Sequence, residues 1–353
     1  MFVINCSYPG TIKTFTPLGF SINFNGPQKD YTGGGDWTAQ NYTTQLESNI
    51  ISSKFIPIEN TGLQVYALSN AQIFLLNDNN GKLFDFAQDW ETGAWVSPEI
   101  HKQNGPAAKF SNEKIESAGL LADKNTGILS VRLTAVPEYL DLDPRRASVK
   151  SAYISMGYLL RKAACAYLDI DLSELDVNFR VVSGQDCKLG GEIFFSDSME
   201  NGSGFCQFLF DQRHNFRQKL LDIFIDKKSD NALKKMFEKH KCFLACYDCI
   251  KDYGNLHYHG DLNWRLGLDM IYLAQDLTNK IDFNLPHWES FVLQYKLNVE
   301  SSGGALLDHT NQIIITHPLW RTDMYVQALK AENHVETYKP VQIFAYVAEG
   351  PTT

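Results

Sequence analysis

The densest group of chemically reactive side chains in this 353-residue sequence lies between positions 240 and 249. His240, Cys242, Cys246 and Cys249 follow one another there in the pattern H-x-C-x-x-x-C-x-x-C. Zinc prefers four nitrogen or sulfur ligands in a tetrahedron, and a C-x-x-C turn can deliver two thiolates to one ion. The spacing therefore predicts a structural Zn²⁺ site, because four local donors would leave no open position for a substrate or a water.

Other interpretations of these residues stay open from the sequence. Cys206 could replace His240 as the fourth ligand, or the cysteines could be small buried side chains beside a helix end. A redox role for Cys246 and Cys249 is disfavoured. A thioredoxin-like motif follows a strand, whereas a helix is expected before this one.

The elements expected to position the cluster are mostly helical. Apolar residues recur with the helical period from 151 to 168 and from about 262 to 277, and shorter helices are expected at 205–210, 215–224 and 230–240. A short buried strand at 192–195 and a turn at 201–204 precede them. We interpret residues 147–280 as a helical zinc-binding domain.

The flanking regions have different patterns. Residues 1–146 are expected to be rich in β-structure, with a hairpin between 64–76 and 83–86 and another strand at 127–133. Residues 281–353 are interpreted as a small α/β unit, with strands at 290–299, 312–316 and 341–347 and a helix at 323–331. The predicted fold class is therefore α+β.

Composition limits the function. With 32 basic and 41 acidic residues the net charge is −9, which excludes a uniformly basic nucleic-acid coat but not a local patch. No apolar run of about 20 residues and no signal-peptide layout are found, so we expect a cytoplasmic protein that does not enter the membrane. The phosphate-binding motifs of P-loop and dinucleotide-binding proteins are not found either, so no motor is expected in this sequence.

A local basic stretch precedes and overlaps the cluster. Residues 211–241 hold nine basic and five acidic side chains, a local charge of +4. Such a stretch could neutralise phosphates, although a solvated helix face has the same composition. The candidate nucleic-acid contacts are Arg213, Arg217, Lys234, Lys235 and Lys241. Nearby rings could stack on unpaired bases or pack a small zinc module; they belong to Tyr253, His257, Tyr258, His259 and Trp264.

The run CYDCIKDYGNLHYHGDLNWRLGLDM resembles the MrfA-like zinc-binding domain, a module attached to superfamily-2 helicases. The pattern is a cysteine cluster, a C-x-x-C-[L/I] step, a Tyr-x-Asn, a histidine and a helix start of the form Leu-Asp-x-Arg. It is matched by Cys246, Cys249, Ile250, Tyr253, Asn255, His259, Leu262 and Arg265. The sequence departs at Asn263, where the family usually has aspartate, and at His240, where many members have cysteine.

Other segments extend the resemblance over roughly residues 15–275. SVKSAYISMGYLLRKAACAYLDIDLSEL and EIFFSDSMENGSGFCQFL are similar to the first long helix of the domain and to its strand and glycine-rich turn. PLGFSINF, DYTGGGDW and LLNDNNGKLFDF resemble the β-rich region that precedes the domain in phage-defence helicases, and IIITHPLW resembles their C-terminal extension. The zinc subunit DrmB of the DISARM system is similar in kind.

The resemblance implies a non-catalytic, zinc-bearing accessory subunit of a superfamily-2 DNA helicase or translocase assembly in bacterial anti-phage defence. It implies DNA as a ligand and a helicase on a separate chain as the partner. The alternative is a metal-dependent nuclease or other DNA-processing enzyme in the C-terminal unit, where Asp308, His309 and His317 flank the strand predicted at 312–316.

Overall fold

The computed structural model describes residues 14–15, 42–46, 54–77, 83–88, 95–96, 115–183, 189–225 and 231–349. It contains helices and a largely antiparallel sheet, with a β-rich N-terminal region, which confirms the α+β class. Two compact units are formed, one by residues 1–48 and 72–125 and the other by residues 49–71 and 126–353. The predicted domain limits at 146 and 280 stay predictions.

The described residues in the first part of the chain form strands of 2 to 19 residues. They are β1 (Thr14–Phe15), β2 (Tyr42–Leu46), β3 (Ile56–Pro57), β4 (Leu63–Asn77), β5 (Phe84–Gln88), β6 (Trp95–Val96) and β7 (Ile115–Leu133). The hairpin predicted between 64–76 and 83–86 is wrong, because β5 pairs with β6 and β7 while β4 lies between β2 and β7. Local turn chemistry does not determine which strand becomes the neighbour. The segments PLGFSINF and DYTGGGDW lie outside the described residues, as do residues 78–81 of the turn predicted at 77–81.

The second unit is built around a long helix. Helix α1 (Ala147–Leu168) confirms the helix predicted at 151–168 and packs on the antiparallel pair β8 (Leu175–Ser183) and β9 (Leu189–Asp197). β9 also pairs with the end of β7, which contains the strand predicted at 127–133. The helix lies so close to the sheet that a Cβ on Gly157 would be 2.6 Å from Cγ1 of Val177.

Shorter helices connect this layer to the cysteine segment. They are α2 (Phe205–Asp211), α3 (Asp222–Ile225), α4 (Ala232–Lys239) and α5 (Trp264–Gln275), with 3₁₀ turns at Leu172–Glu174, Arg213–Asn215 and Tyr253–Tyr258 and a π-helical turn at Arg217–Leu221. The Asp197 carboxylate accepts hydrogen bonds from the backbone N–H groups of Gly204 and Cys206 at 2.8 and 3.0 Å. It therefore caps α2, as expected for an acid at a strand-to-helix turn.

Helix α5 packs closely against α1, and Asn263 determines where it begins. The Asn263 side chain accepts hydrogen bonds from the backbone N–H groups of Arg265 and Leu266, while its own N–H donates to Ser155 Oγ of α1 at 2.7 Å. Asparagine and aspartate are both good N-caps, so the departure from the family pattern at Asn263 preserves the cap.

The last part of the chain forms helix α6 (Pro286–Gln294), strands β10 (Glu300–Ser302), β11 (Ala305–Asp308) and β12 (Ile313–Thr316), helix α7 (Tyr325–Glu332), strand β13 (Lys339–Gln342) and helix α8 (Ile343–Glu349). The strands form a mixed sheet in chain order. The predicted strand at 290–299 is wrong, because proline begins α6 and Trp288 and Phe291 face inward at helical spacing. The strand predicted at 341–347 is largely helical, since Ile343 and Tyr346 are buried three residues apart.

Candidate metal centre

Four donor atoms converge in the segment that follows α4. One ligand atom each from His240, Cys242, Cys246 and Cys249 lies within 4.8 Å of the other three. Nε2 of His240 is 2.8 Å from Sγ of Cys242 and 3.4 Å from Sγ of Cys246, and the Sγ atoms of Cys242 and Cys249 are 3.8 Å apart. The structure thus brings together all four residues that the spacing predicted, as a set that could hold a metal ion.

Two of these three separations match the edges of a tetrahedral zinc site. Zinc–sulfur and zinc–nitrogen bonds of ordinary length give edges of about 3.8 Å between two sulfurs and about 3.5 Å between a sulfur and a nitrogen. The Cys242–Cys249 and His240–Cys246 separations of 3.8 and 3.4 Å match these edges, and the His240–Cys242 edge is shorter. Three thiols and an imidazole are also the donor types that zinc prefers over oxygen-binding cations.

The local backbone explains why these ligands meet. Helix α4 ends at Lys239, and His240 is extended, so the chain leaves the helix at the first ligand. The N–H of Cys249 then donates to the carbonyl of Cys246 at 3.1 Å, and the N–H of Cys246 donates to Sγ of Cys249 at 3.0 Å. One tight turn therefore aims both cysteines of the C-x-x-C pair at the same point.

The environment of Cys249 favours its thiolate. A hydrogen bond from the Cys242 thiol, together with backbone N–H groups of Cys246 and Ile250, lowers the pKa of Cys249 to about 5. The same pairing raises the pKa of Cys242, because the proton between the two sulfurs stays on Cys242. A metal ligand must be a thiolate, so the proton held between the two sulfurs would have to leave Cys242 when an ion binds.

The first turn of α5 supports the metal loop. Trp264 Nε1 and Arg265 Nη1 both donate to the carbonyl of Cys242, at 3.2 and 2.9 Å, and the Trp264 ring lies edge-on to His240 with 5.3 Å between centroids. Burial lowers the pKa of Arg265 to about 10, which leaves it protonated at neutral pH. Sequence reasoning did not assign these supporting roles; the adjacent helix start was the available signal.

His259 and Asn255, which both belong to the family pattern, form a hydrogen-bonded group beside the cluster. His259 Nε2 lies 2.9 Å from Asn255 Oδ1 and 3.0 Å from the carbonyl of Asp252. Asp252 and Asn255 cap each other's backbone, and Arg161 of α1 forms an ion pair with Asp252. These residues therefore fasten the 3₁₀ turn to α1 and belong to no ligand group among the described residues.

Cys206, the alternative fourth ligand, lies in the apolar core. Its side chain is fully buried, and burial raises its pKa well above that of a free thiol. The cluster of ligand atoms in the described part of the chain contains His240 and not Cys206.

The five candidate nucleic-acid residues differ in their exposure. Lys235 and Lys241 are exposed. Arg213 donates to the carbonyl of Phe210, Arg217 donates to the carbonyl of Asn60 and lies 3.6 Å from Asp222, and the largely covered Lys234 lies 3.6 Å from Glu238. Arg213, Arg217 and Lys234 are half-buried, so exposure alone makes Lys235 and Lys241 the better candidates for phosphate contacts.

The candidate stacking rings also differ in their exposure. Trp264 and Tyr258 are buried in the core, and His259 is hydrogen-bonded to Asn255. Tyr253 is 83% exposed and is the ring of the group that solvent reaches most freely. It lies 5.6 Å from the ring of Tyr247, which is itself exposed.

The candidate nuclease residues do not converge. The Asp308 carboxylate accepts hydrogen bonds from Asn311 and from the Tyr346 hydroxyl, while His309 contacts Tyr338 and Glu300. His317 is buried and contacts Asp269 instead. Within the described residues these three side chains form no group of metal-ligand atoms.

Asp269 is the centre of a buried network that sequence reasoning missed. It accepts hydrogen bonds from His287 at 2.7 Å, from Trp288 at 3.0 Å and from His317 at 3.1 Å. Burial raises the pKa of this carboxyl, but the interactions with His317 and His287 outweigh burial and lower the pKa to about 2. The network joins α5, α6 and the segment after β12 behind the metal loop.

Comparison with known proteins gives a limited likeness. Two crystal structures of the DUF1998 helicase MrfA are similar, one bound to DNA (14% identity, TM-score 0.34) and one bound to DNA and AMPPNP (11% identity, TM-score 0.31). The matches cover 61% and 66% of this chain but only 23% and 22% of the helicase chains. No family model matches, and no curated protein matches. No helix among the described residues is long and apolar enough to cross a membrane.

Proposed function

We propose that this chain is a non-catalytic, zinc-bearing module that works with a superfamily-2 DNA helicase on a separate chain, in the cytoplasm, as part of bacterial anti-phage defence. The observation that carries the proposal is the convergence of His240, Cys242, Cys246 and Cys249. The helicase partner and the defence role rest on the sequence resemblance of the run that begins at Cys246.

The role of the zinc is structural. Four protein donors close the coordination shell, so the ion holds the loop after α4 in place and contributes folding free energy directly. His240, Cys242, Cys246 and Cys249 hold it, and α5 supports the loop through Trp264 and Arg265. Asp308 and His317, which the nuclease alternative would use, form hydrogen bonds with Asn311 and Asp269 respectively.

DNA engagement is assigned to the surface beside this loop. Lys235 lies on α4 and Lys241 lies between two ligands, and both side chains are exposed. Lysines that neutralise phosphates bind without sequence preference and with strong salt dependence. The zinc would fix the position of Lys241 relative to α4.

The test is DNA binding by the full chain and by the double variant Lys235→Gln/Lys241→Gln, measured as fluorescence anisotropy of a labelled oligonucleotide at several salt concentrations. We expect weaker binding and a salt slope reduced by about two for loss of two phosphate contacts. Lys339→Gln, which removes an exposed lysine of β13, is the control and should bind as the wild type does. Unchanged affinity in the double variant would contradict DNA engagement by this surface.

The same preparation tests the absence of catalysis. We expect no cleavage of DNA with Mg²⁺ or Mn²⁺ present. Cleavage that Asp308→Ala abolishes would overturn the accessory role and favour the nuclease alternative.

A further inference from the structure

Arg265 carries a buried charge that no carboxylate balances by direct contact. Its side chain is fully buried, and its donors reach only neutral carbonyl oxygens: those of Cys242 at 2.9 Å, Phe243 at 3.0 Å and His287 at 3.3 Å. Among the residues that the structure describes, no acid forms an ion pair with it, and its Nη2 has no hydrogen-bond partner. Fully buried arginines are almost always paired, because removing a charge from water is costly.

Neighbouring rings stabilise this cation without neutralising it. The guanidinium lies 4.3 Å from the ring centre of Trp264 and 4.7 Å from that of Phe291. Cation–π contacts of this kind are favourable, but they offset only part of the cost of burying an unpaired ion. A negative charge is therefore expected nearby.

The metal centre supplies such a charge. A divalent zinc ion bound by three thiolates and one neutral imidazole has a single net negative charge. Arg265 holds the backbone of the ligand Cys242, and Trp264 bridges the guanidinium and the His240 ring. We propose that Arg265 is the counter-charge of the zinc–thiolate centre, an inference that rests on the metal site proposed above.

Asp269 is the competing source of negative charge, one helical turn further along α5. Its oxygens accept hydrogen bonds from His287, Trp288 and His317, and none from Arg265. The two imidazoles and the indole already stabilise this carboxylate, so its negative charge is stabilised within that network and not by Arg265. Arg265 is a positioning residue that acts through the ligands and does not touch the metal.

The test compares two substitutions in the full, zinc-loaded chain. Arg265→Lys keeps the charge but loses the planar guanidinium group, whereas Arg265→Gln keeps a hydrogen-bond donor and loses the charge. Zinc affinity is measured by competition with a chromophoric chelator, and thiolate reactivity by the rate of alkylation with N-ethylmaleimide. Arg146→Gln is the control, since Arg146 also binds backbone carbonyls, those of Asp141 and Pro318, outside the metal loop.

We expect Arg265→Gln to weaken zinc binding at least about 10-fold and Arg265→Lys less than about 3-fold, in the range of residues that support metal ligands. Alkylation should be faster in Arg265→Gln than in Arg265→Lys, because losing a nearby positive charge makes the bound thiolates more nucleophilic. If only Arg265→Lys folds, the need for a charge is supported. If Arg265→Lys fails to fold, or weakens zinc binding as much as Arg265→Gln does, the counter-charge role is overturned. Arg265 would then be needed for the geometry of its guanidinium hydrogen bonds.

The outcomes separate this inference from the metal site itself. Wild-type protein that contains no zinc refutes the site, whatever the variants do. Zinc-loaded wild type with equal losses in the two Arg265 variants refutes only the role of Arg265. Asp269→Asn should leave the difference between Arg265→Lys and Arg265→Gln unchanged, and a difference that disappears in that background would assign the counter-charge to Asp269 instead.

Discussion

The indole Nε1 of Trp264 donates a hydrogen bond to the carbonyl oxygen of Cys242 at 3.2 Å, and the backbone N–H of Trp264 donates to the carbonyl of Leu244 at 3.0 Å. The first residue of α5 is thereby tied twice to the loop that carries the metal ligands. Since α5 packs on α1, the position of the cluster follows from the core of the unit.

Trp264→Phe tests this connection. The substitution keeps an aromatic ring against His240 but leaves the buried Cys242 carbonyl with one donor fewer, so we expect the free energy of unfolding to fall by about 1–2 kcal/mol. Urea denaturation of the zinc-loaded protein measures the change. Tyr253→Phe, at an exposed ring, is the control and should be neutral; equal stability of the two variants would refute the role of Trp264.

Gly267→Ala tests the close packing of α5 on α1. A Cβ at this position would lie 2.9 Å from Cδ1 of Leu159 and equally close to Cβ of Ser155. Overpacking of this kind separates the helices, and we expect destabilisation by about 1–3 kcal/mol in thermal or urea unfolding. Gly260→Ala, where a Cβ meets nothing within 4 Å, is the matched control. A Gly267→Ala protein as stable as the control would show that the helices can separate without cost.

Asp269→Asn tests the buried network. An amide cannot accept from His287, Trp288 and His317 together, and its own NH₂ would face donors, so we expect a loss of about 2–4 kcal/mol in the free energy of unfolding at pH 7. His309→Gln, at a histidine that contacts Tyr338 and Glu300 on the surface, should change stability little. An Asp269→Asn protein of wild-type stability would contradict the importance of the network.

The same carboxylate predicts a dependence on pH. Its pKa is about 2 in the folded protein and 3.8 for the free group, so the folded state binds its proton less readily. The corresponding stabilisation of about 2 kcal/mol is complete above about pH 5 and is largely lost as the pH falls to 2. Denaturation curves at pH 7, 4 and 2.5 should show the wild type approaching Asp269→Asn in stability as the pH falls. A constant difference would contradict the lowered pKa.

What the sequence could predict was local. The four ligand residues lie within ten positions, so their spacing alone places them on one turn after one helix, and Asn263 shows its capping role by its type and position. The hairpin involving residues 83–86 was wrong because strand order depends on β7, which comes later in the chain. The helices at 286–294 and 343–349 were missed because their short apolar patterns suit a strand equally well.

What the sequence could not predict depends on packing between distant segments. Asp269 and His317 are 48 positions apart, and Arg265 reaches the carbonyl of Cys242 from 23 positions away. No sequence spacing predicts either contact, since each one forms only after α5 has packed against α1 and the metal loop. The exposure of the basic residues was equally unpredictable, because packing leaves Arg213, Arg217 and Lys234 half-buried and Lys235 and Lys241 exposed.

The most direct test of the central claim is the zinc content of the full chain purified without chelators, measured by elemental analysis. The account predicts about one zinc per chain. His240→Ala and Cys249→Ala should lose the metal, whereas Cys206→Ser should retain it. Folded wild-type protein without zinc, whose stability is the same with and without added zinc, would contradict the metal centre.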